Sequence, residues 1–193
     1  MLTQSFPGSR KLIDAIDYAV SQPDTAALTS SLRGSLCQFM SSGEVRLPDC
    51  VFVPCAEHYA RRELYRSEEH GYCVVAMTWA PGQGTPIHDH DGMWCVEGVW
   101  HGALDIEKYD LLEQVDQRYH FTAIGSIQAN AGSAGSLIPP HEYHSIRNPS
   151  SDTVTISLHV YAGPMLRCAV FQPLTGSEWY SRDMRVLALD HAQ

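Results

Sequence analysis

The sequence predicts a mainly β protein: an antiparallel barrel or jelly roll with two or three N-terminal α-helices. Two patterns carry that expectation. Apolar residues recur every four positions through residues 9–42, and from about residue 50 short β-rich runs alternate with Gly- and Pro-rich turns. Strands spaced roughly 8–12 residues apart mark sandwiches and closed barrels, and small barrels enclose one ligand. Composition agrees: the chain has 193 residues, 44% hydrophobic and 18% charged, enough to bury a globular core.

In chain order, Ser9 is the expected N-cap of a first helix carrying Leu12, Ile16 and Val20. Pro23-Asp24 breaks it and caps a second helix with Leu28, Leu32, Leu36 and Met40, which Gly43 ends. Strands are expected at 72–79, 94–100, 103–109, 119–127, 136–138, 143–147, 154–161 and 168–171. Pro81-Gly82, Asp91-Gly92, Gly132 to Gly135, Pro139-Pro140 and Asn148-Pro149 punctuate them. The expected organisation is one domain, 1–193, with a helical segment 1–45 packed on a barrel 50–180.

Several function classes recede. The net charge is −9, and basic residues gather only at Arg61-Arg62 and Arg66, so no nucleic-acid face is expected. Apolar runs such as Cys73–Met77 fall far short of the roughly 20 residues that cross a bilayer, so no membrane partner is expected. The N-terminus lacks a basic stretch followed by an apolar run, which makes the cytoplasm the expected location. Six scattered cysteines without a Cys-x-x-Cys pair read as thiols.

The chemistry concentrates in Pro81–Gly98. On a strand, residues i and i+2 face one side about 6.6 Å apart, so His88 and His90 aim together into a barrel while Asp89 turns away. His144, in the run Pro139-Pro-His-Glu-Tyr-His144-Ser-Ile-Arg-Asn148, supplies a third imidazole from another strand. Gly82 with His88-x-His90, and Pro139 with His144 and Asn148, match the two motifs of the cupin superfamily in form. The glutamate that usually adds a fourth ligand is replaced by Cys95, and the second motif's internal glycine by His141. Glu97, two residues further on, is a rival ligand. Three imidazoles leave a divalent ion's charge uncancelled and its other positions open, which suits a substrate that brings its own anion, such as a thiolate.

With these residues in place the chain resembles cysteine dioxygenase and the bacterial thiol dioxygenases from about Tyr59 to Gly176. The resemblance rests on Tyr59-Ala-Arg61, Trp79-Ala-Pro-Gly82, His88-Asp-His90, Cys95, His144 with Asn148, and Ser157-Leu-His159-Val-Tyr161. It implies a ferrous ion, Fe(2+), on His88, His90 and His144, with a small thiol and O2 as substrates. It implies a Ser157-His159-Tyr161 relay, whose members share one face of a strand, with Tyr161 at the substrate. It implies Arg61 as holder of a substrate carboxylate, although gapless counting from Trp79 selects Arg62 on the opposite face. A Cys95–Tyr161 thioether is a further expectation, since both partners of that crosslink are retained; the alternative for Cys95 is a small buried hydrophobe.

L-Cysteine is the leading substrate and 3-mercaptopropionate its alternative. A metal-binding cupin of another kind, an isomerase or a small-ligand sensor, is the reading from outside this class. His58, His70, His101, His120, His141 and His191 are read as surface or structural.

Overall fold

The computed structural model describes residues 5–190; the outermost residues of the expected 1–193 unit, His191 among them, lie outside the described residues. Two antiparallel helices, α1 (Ser9–Val20) and α2 (Thr25–Ser42), precede eleven strands. These are β1 (Ala60–Ser67), β2 (Tyr72–Trp79), β3 (Ile87–His88), β4 (Cys95–His101), β5 (Ala103–Val115) and β6 (Arg118–Asn130). Then follow β7 (Ala134–Leu137), β8 (His144–Arg147), β9 (Thr155–Tyr161), β10 (Arg167–Pro173) and β11 (Trp179–Val186).

The strands form two antiparallel sheets. One runs β1-β2-β9-β4-β7; the other closes as β10-β11-β6-β5-β8-β3. This is an antiparallel jelly-roll barrel. Residues of β2, β4 and β9 alternate between two cores. Val74, Ala76, Val96, Ile156, Leu158 and Val160 pack under the helices with Leu12, Ile16, Leu32 and Leu36. Cys73, Val75, Met77, Cys95 and Tyr161 face the barrel interior. Burial on both faces explains why these strands read as continuous apolar runs.

The helix caps differ from expectation at one end. Gly8, in a left-handed conformation at φ 80°, caps α1, and Ser9 is its first residue. A Cβ at Gly8 would sit 2.2 Å from the Glu44 carbonyl oxygen, so only glycine fits. Asp24 caps α2 by accepting from the Ala27 N–H at 2.8 Å, and Gly43 closes that helix. Tyr72 ties α1 to β2 through its hydroxyl, which donates to Asp17 at 2.8 Å.

Two strands fall outside the expected set. Strand β11 runs to Val186, past residue 180, and β1 precedes the first expected run. Strands β5 and β6 form a hairpin of 13 residues each, which buries Tyr119 and Phe121 and exposes Leu112, Ile124 and Ile127. None of the helices among the described residues is long and apolar enough to cross a membrane.

Candidate active site in the barrel

His88 ends β3 and pairs in register with His144, the first residue of β8. The chain leaves the sheet after His88, so His90 lies on a loop and not on the strand expected to carry both residues. Two carboxylates hold that loop. Asp89 accepts the Ala169 N–H at 2.8 Å, and Glu142 accepts the His90 N–H at 2.9 Å. The three rings still converge. Their centroids lie 4.5, 5.1 and 5.3 Å apart, and one nitrogen from each falls within 4.8 Å of the others.

His88 and His144 meet Nε2 to Nε2 at 3.1 Å. Ligands at right angles on an ion with bonds of about 2.1 Å stand about 3.0 Å apart, so this edge is already metal-sized. Outer partners orient the rings: His88 Nδ1 lies 3.2 Å from the Pro86 carbonyl, and His90 Nδ1 lies 3.3 Å from Glu142. With Nδ1–H of His88 directed at that carbonyl, its Nε2 keeps its lone pair for a metal. Burial drives the His88 imidazolium down to about 3, with the neighbouring His90 adding to it, and holds His144 well below the usual range. Three convergent imidazoles, two of them buried, fit a divalent ion.

Glu97 stands elsewhere. Its carboxylate lies 4.0 Å from His144 Nδ1 and 3.4 Å from His159 Nδ1, behind the rings and outside the three-histidine group. Burial pushes this carboxyl up to about 7. Here it lies behind His144 rather than within the three-histidine group.

The β9 stripe points inward. Trp79 Nε1–H donates to Ser157 Oγ at 2.9 Å, Ser157 Oγ is 2.8 Å from His159 Nε2, and His159 Nδ1 is 3.3 Å from the Tyr161 hydroxyl. Ser157 Oγ accepts from Trp79 and keeps both a hydrogen and a second lone pair for Nε2 of His159, so the contacts run unbroken from the indole to the phenol. Burial, then the nearby Cys95, holds Tyr161 well above the usual phenol range, so it is a donor at neutral pH. Tyr161 is flanked in register by Cys95 on β4 and by Cys73 on β2. Trp79 extends the chain by one donor, a role its sequence context did not announce.

Arg61 and Arg62 separate by face. Arg61 is buried and lines a tight cavity of about 20 Å³ with the three histidines, His159 and Tyr161. Its guanidinium donates to the Ala188 and Met165 carbonyls at 3.2 and 3.0 Å, while Nε is left without a hydrogen-bond partner. Arg62 instead donates to Thr78 Oγ1 and the Val53 carbonyl, away from that cavity. Tyr59, Arg61 and Leu187 also line an open cleft of about 560 Å³, which places the cleft at the cavity's mouth.

Comparison with known proteins bears on this constellation. The family described as cysteine dioxygenase type I matches residues 56–173. The chain belongs to that family. The matched span contains the three histidines, Arg61, Cys95 and the β9 stripe, and leaves out both helices and β11. A curated relative, cysteine dioxygenase type 1 of Danio rerio, is 23% identical over 127 residues, 65% of this chain. The chain spans 62% of the length of that relative. Among solved structures, a conserved protein with a double-stranded β-helix domain from Klebsiella pneumoniae has a TM-score of 0.49 at 16% identity. That match covers 66% of this chain and 98% of the other. The protein TT1209 of Thermus thermophilus has a TM-score of 0.46 at 19% identity, covering 61% and 96%.

Two further residues went unread in the sequence. Glu142, buried against His90, looks there like any solvent-facing glutamate; its signal is its place two residues before His144. His58, read as surface or structural, belongs to a cluster with Cys55 and Glu57.

Proposed function

We propose that this chain is a thiol dioxygenase that converts L-cysteine to cysteine sulfinate at a ferrous ion held by His88, His90 and His144. Both atoms of O2 join the sulfur, which is oxidised as dioxygen is reduced, so no further reductant is needed. When bound, the iron supplies Lewis acidity toward the thiolate and a meeting point for thiolate and dioxygen. The residues around it select and orient. Arg61 takes the carboxylate through N–H groups that its backbone partners leave free, as a guanidinium does with two parallel hydrogen bonds. Tyr161 presents its phenol hydrogen to the reacting atoms, while Ser157 and His159 fix the direction of that hydrogen.

The observation that carries the reading is the shared cavity: a buried guanidinium faces the same small space as three convergent imidazoles. A carboxylate-bearing thiol satisfies both ends at once. The test is anaerobic reconstitution with ferrous iron, followed by thiol-dependent oxygen uptake with the product identified by mass. L-Cysteine is expected to give the largest kcat/KM and a sulfinate product. A larger kcat/KM for 3-mercaptopropionate would reassign the substrate, and no oxygen uptake with any small thiol would remove the activity.

Cys95 and Tyr161 are proposed to form a thioether during turnover. Their backbones face each other directly across β4 and β9, and both side chains are buried. Formation of the C–S bond removes one hydrogen from the thiol and one from the ring, with dioxygen as oxidant. Peptide mapping after turnover is expected to find the linked pair lighter by two hydrogens. Linkage of Tyr161 to Cys73, its neighbour on the other side, would refute the assignment.

A further inference from the structure

Outside the barrel, the turn before β1 brings three unlike donors together. The Cys55 thiol donates to Glu57 Oε2 at 3.0 Å, and its sulfur lies 3.5 Å from His58 Nδ1. Nitrogen, oxygen and sulfur all fall within 4.8 Å of one another. A tetrahedral zinc site with ordinary bond lengths spaces its ligand atoms roughly 3.3–3.6 Å apart. The sulfur–nitrogen edge already has that length, and the sulfur–oxygen edge needs only to open slightly as the thiol proton leaves.

Two independent contacts prepare these donors. His58 Nε2 lies 3.0 Å from Asp190 Oδ1. With Nε2–H given to that carboxylate, Nδ1 turns its lone pair toward the sulfur, the arrangement that outer carboxylates impose on metal-ligating histidines. The Cys55 carbonyl accepts from Gln83 Nε2 at 2.8 Å, which fixes the backbone at the sulfur ligand. The Glu57 carboxyl is held below its usual range by the thiol hydrogen bond, so its oxygen is ionised at neutral pH.

We propose that Cys55, Glu57 and His58 form a second metal site, distinct from the barrel, for a borderline-soft divalent cation of the zinc class with water in the fourth position. Mixed sulfur, nitrogen and oxygen donors select such an ion over magnesium or calcium. The site also reaches toward the barrel. Asp190 accepts the Arg61 N–H at 2.8 Å and donates its own N–H to the Arg61 carbonyl at 2.7 Å. Glu57 and His58 line the open cleft at the cavity's mouth. A cation on His58 therefore locks the His58–Asp190 contact and clasps the segment 187–190 over Arg61.

The inference stands apart from the barrel's reaction, and zinc alone tests it. A His88→Ala/His144→Ala variant lacks the barrel site and is expected to keep one equivalent of zinc. Adding Cys55→Ser or His58→Ala to it should remove that equivalent. Cobalt in its place should show a thiolate-to-metal charge-transfer band that Cys55→Ser abolishes. In the unaltered protein, zinc should slow alkylation of Cys55 about tenfold, because the thiolate is both nucleophile and ligand, while Cys37 reacts at its former rate. Unchanged alkylation of Cys55 at saturating zinc, or retention of the zinc equivalent after Cys55→Ser, overturns the proposal.

Discussion

On β1 two neighbouring arginines part at the backbone, one into the cavity and one toward Thr78 and Val53. The alternation of side chains along a strand makes their roles exclusive. Replacing Arg61 by Gln keeps hydrogen-bond donors but removes the charge that a carboxylate needs. Losing one partner of a buried charge pair costs about 2–5 kcal/mol, so kcat/KM for L-cysteine should fall at least about 30-fold. Oxygen uptake with cysteamine, which lacks the carboxylate, should hardly change; equal losses for both thiols would remove the assigned role. Arg62→Gln should leave both rates near wild type. At Tyr161, Phe removes the donor proposed to face the reacting atoms and, with it, the proposed thioether to Cys95. A hydrogen bond to a charged group contributes about 1.5–3 kcal/mol, so kcat should drop roughly 10- to 150-fold with KM for cysteine little moved. A change confined to KM would make Tyr161 a binding residue only.

At the scale of elements, legibility follows burial. Strands β2 and β9 are buried along their whole length, and β4 along most of its own, and their apolar runs were readable at once. The helices were readable from apolar spacing, with Asp24 and Gly43 as their signals. Strand β11, with the sequence WYSRDMRV, is mostly exposed and charged, so no periodicity betrayed it; only pairing with β10 and β6 makes it a strand. Likewise the His88-x-His90 spacing pointed both rings the same way, while the loop that carries His90 depends on Asp89 and Glu142, contacts that span the fold. The helix layer itself can be probed at two points. Asp24→Ala should lower stability by about 1 kcal/mol, the usual worth of an N-cap, with a lower Tm and unchanged oxygen uptake per folded molecule. At Gly98 even a Cβ would come within 3.1 Å of Met40 Cε and 3.6 Å of Leu36. Gly98→Val should therefore cost about 1–3 kcal/mol by overpacking, and Met40→Ala added to it should recover part of the loss. No recovery in that double variant would mean the strain lies in the strand and not against α2.

For the whole molecule, the buried titratable groups of the barrel pull stability in opposite directions with pH. His88, ordinarily near 6.5, is driven to about 3, and His144 and His159 are likewise lowered by burial. As pH falls below 6.5 the unfolded chain takes up protons that these folded imidazoles refuse, so stability drops on acidification. Glu97 acts the other way. Its folded carboxyl, raised to about 7 from 4.5, keeps a proton through that window which the unfolded chain has lost, and so favours the folded state as pH falls from 7 toward 4.5. Below 4.5 both states hold that proton and the compensation ends. Urea unfolding of the metal-free protein should therefore show a loss of stability between pH 6.5 and 4.5 and a steeper one below. Glu97→Gln keeps the neutral shape and removes the titration. Its stability should fall more steeply than wild type by about 1.4 kcal/mol per pH unit between 6.5 and 4.5, and run parallel to wild type below that. Parallel curves across the whole range would mean that Glu97 is ionised in the folded barrel, and the carboxyl behind His144 would then be a charge partner of the ligand.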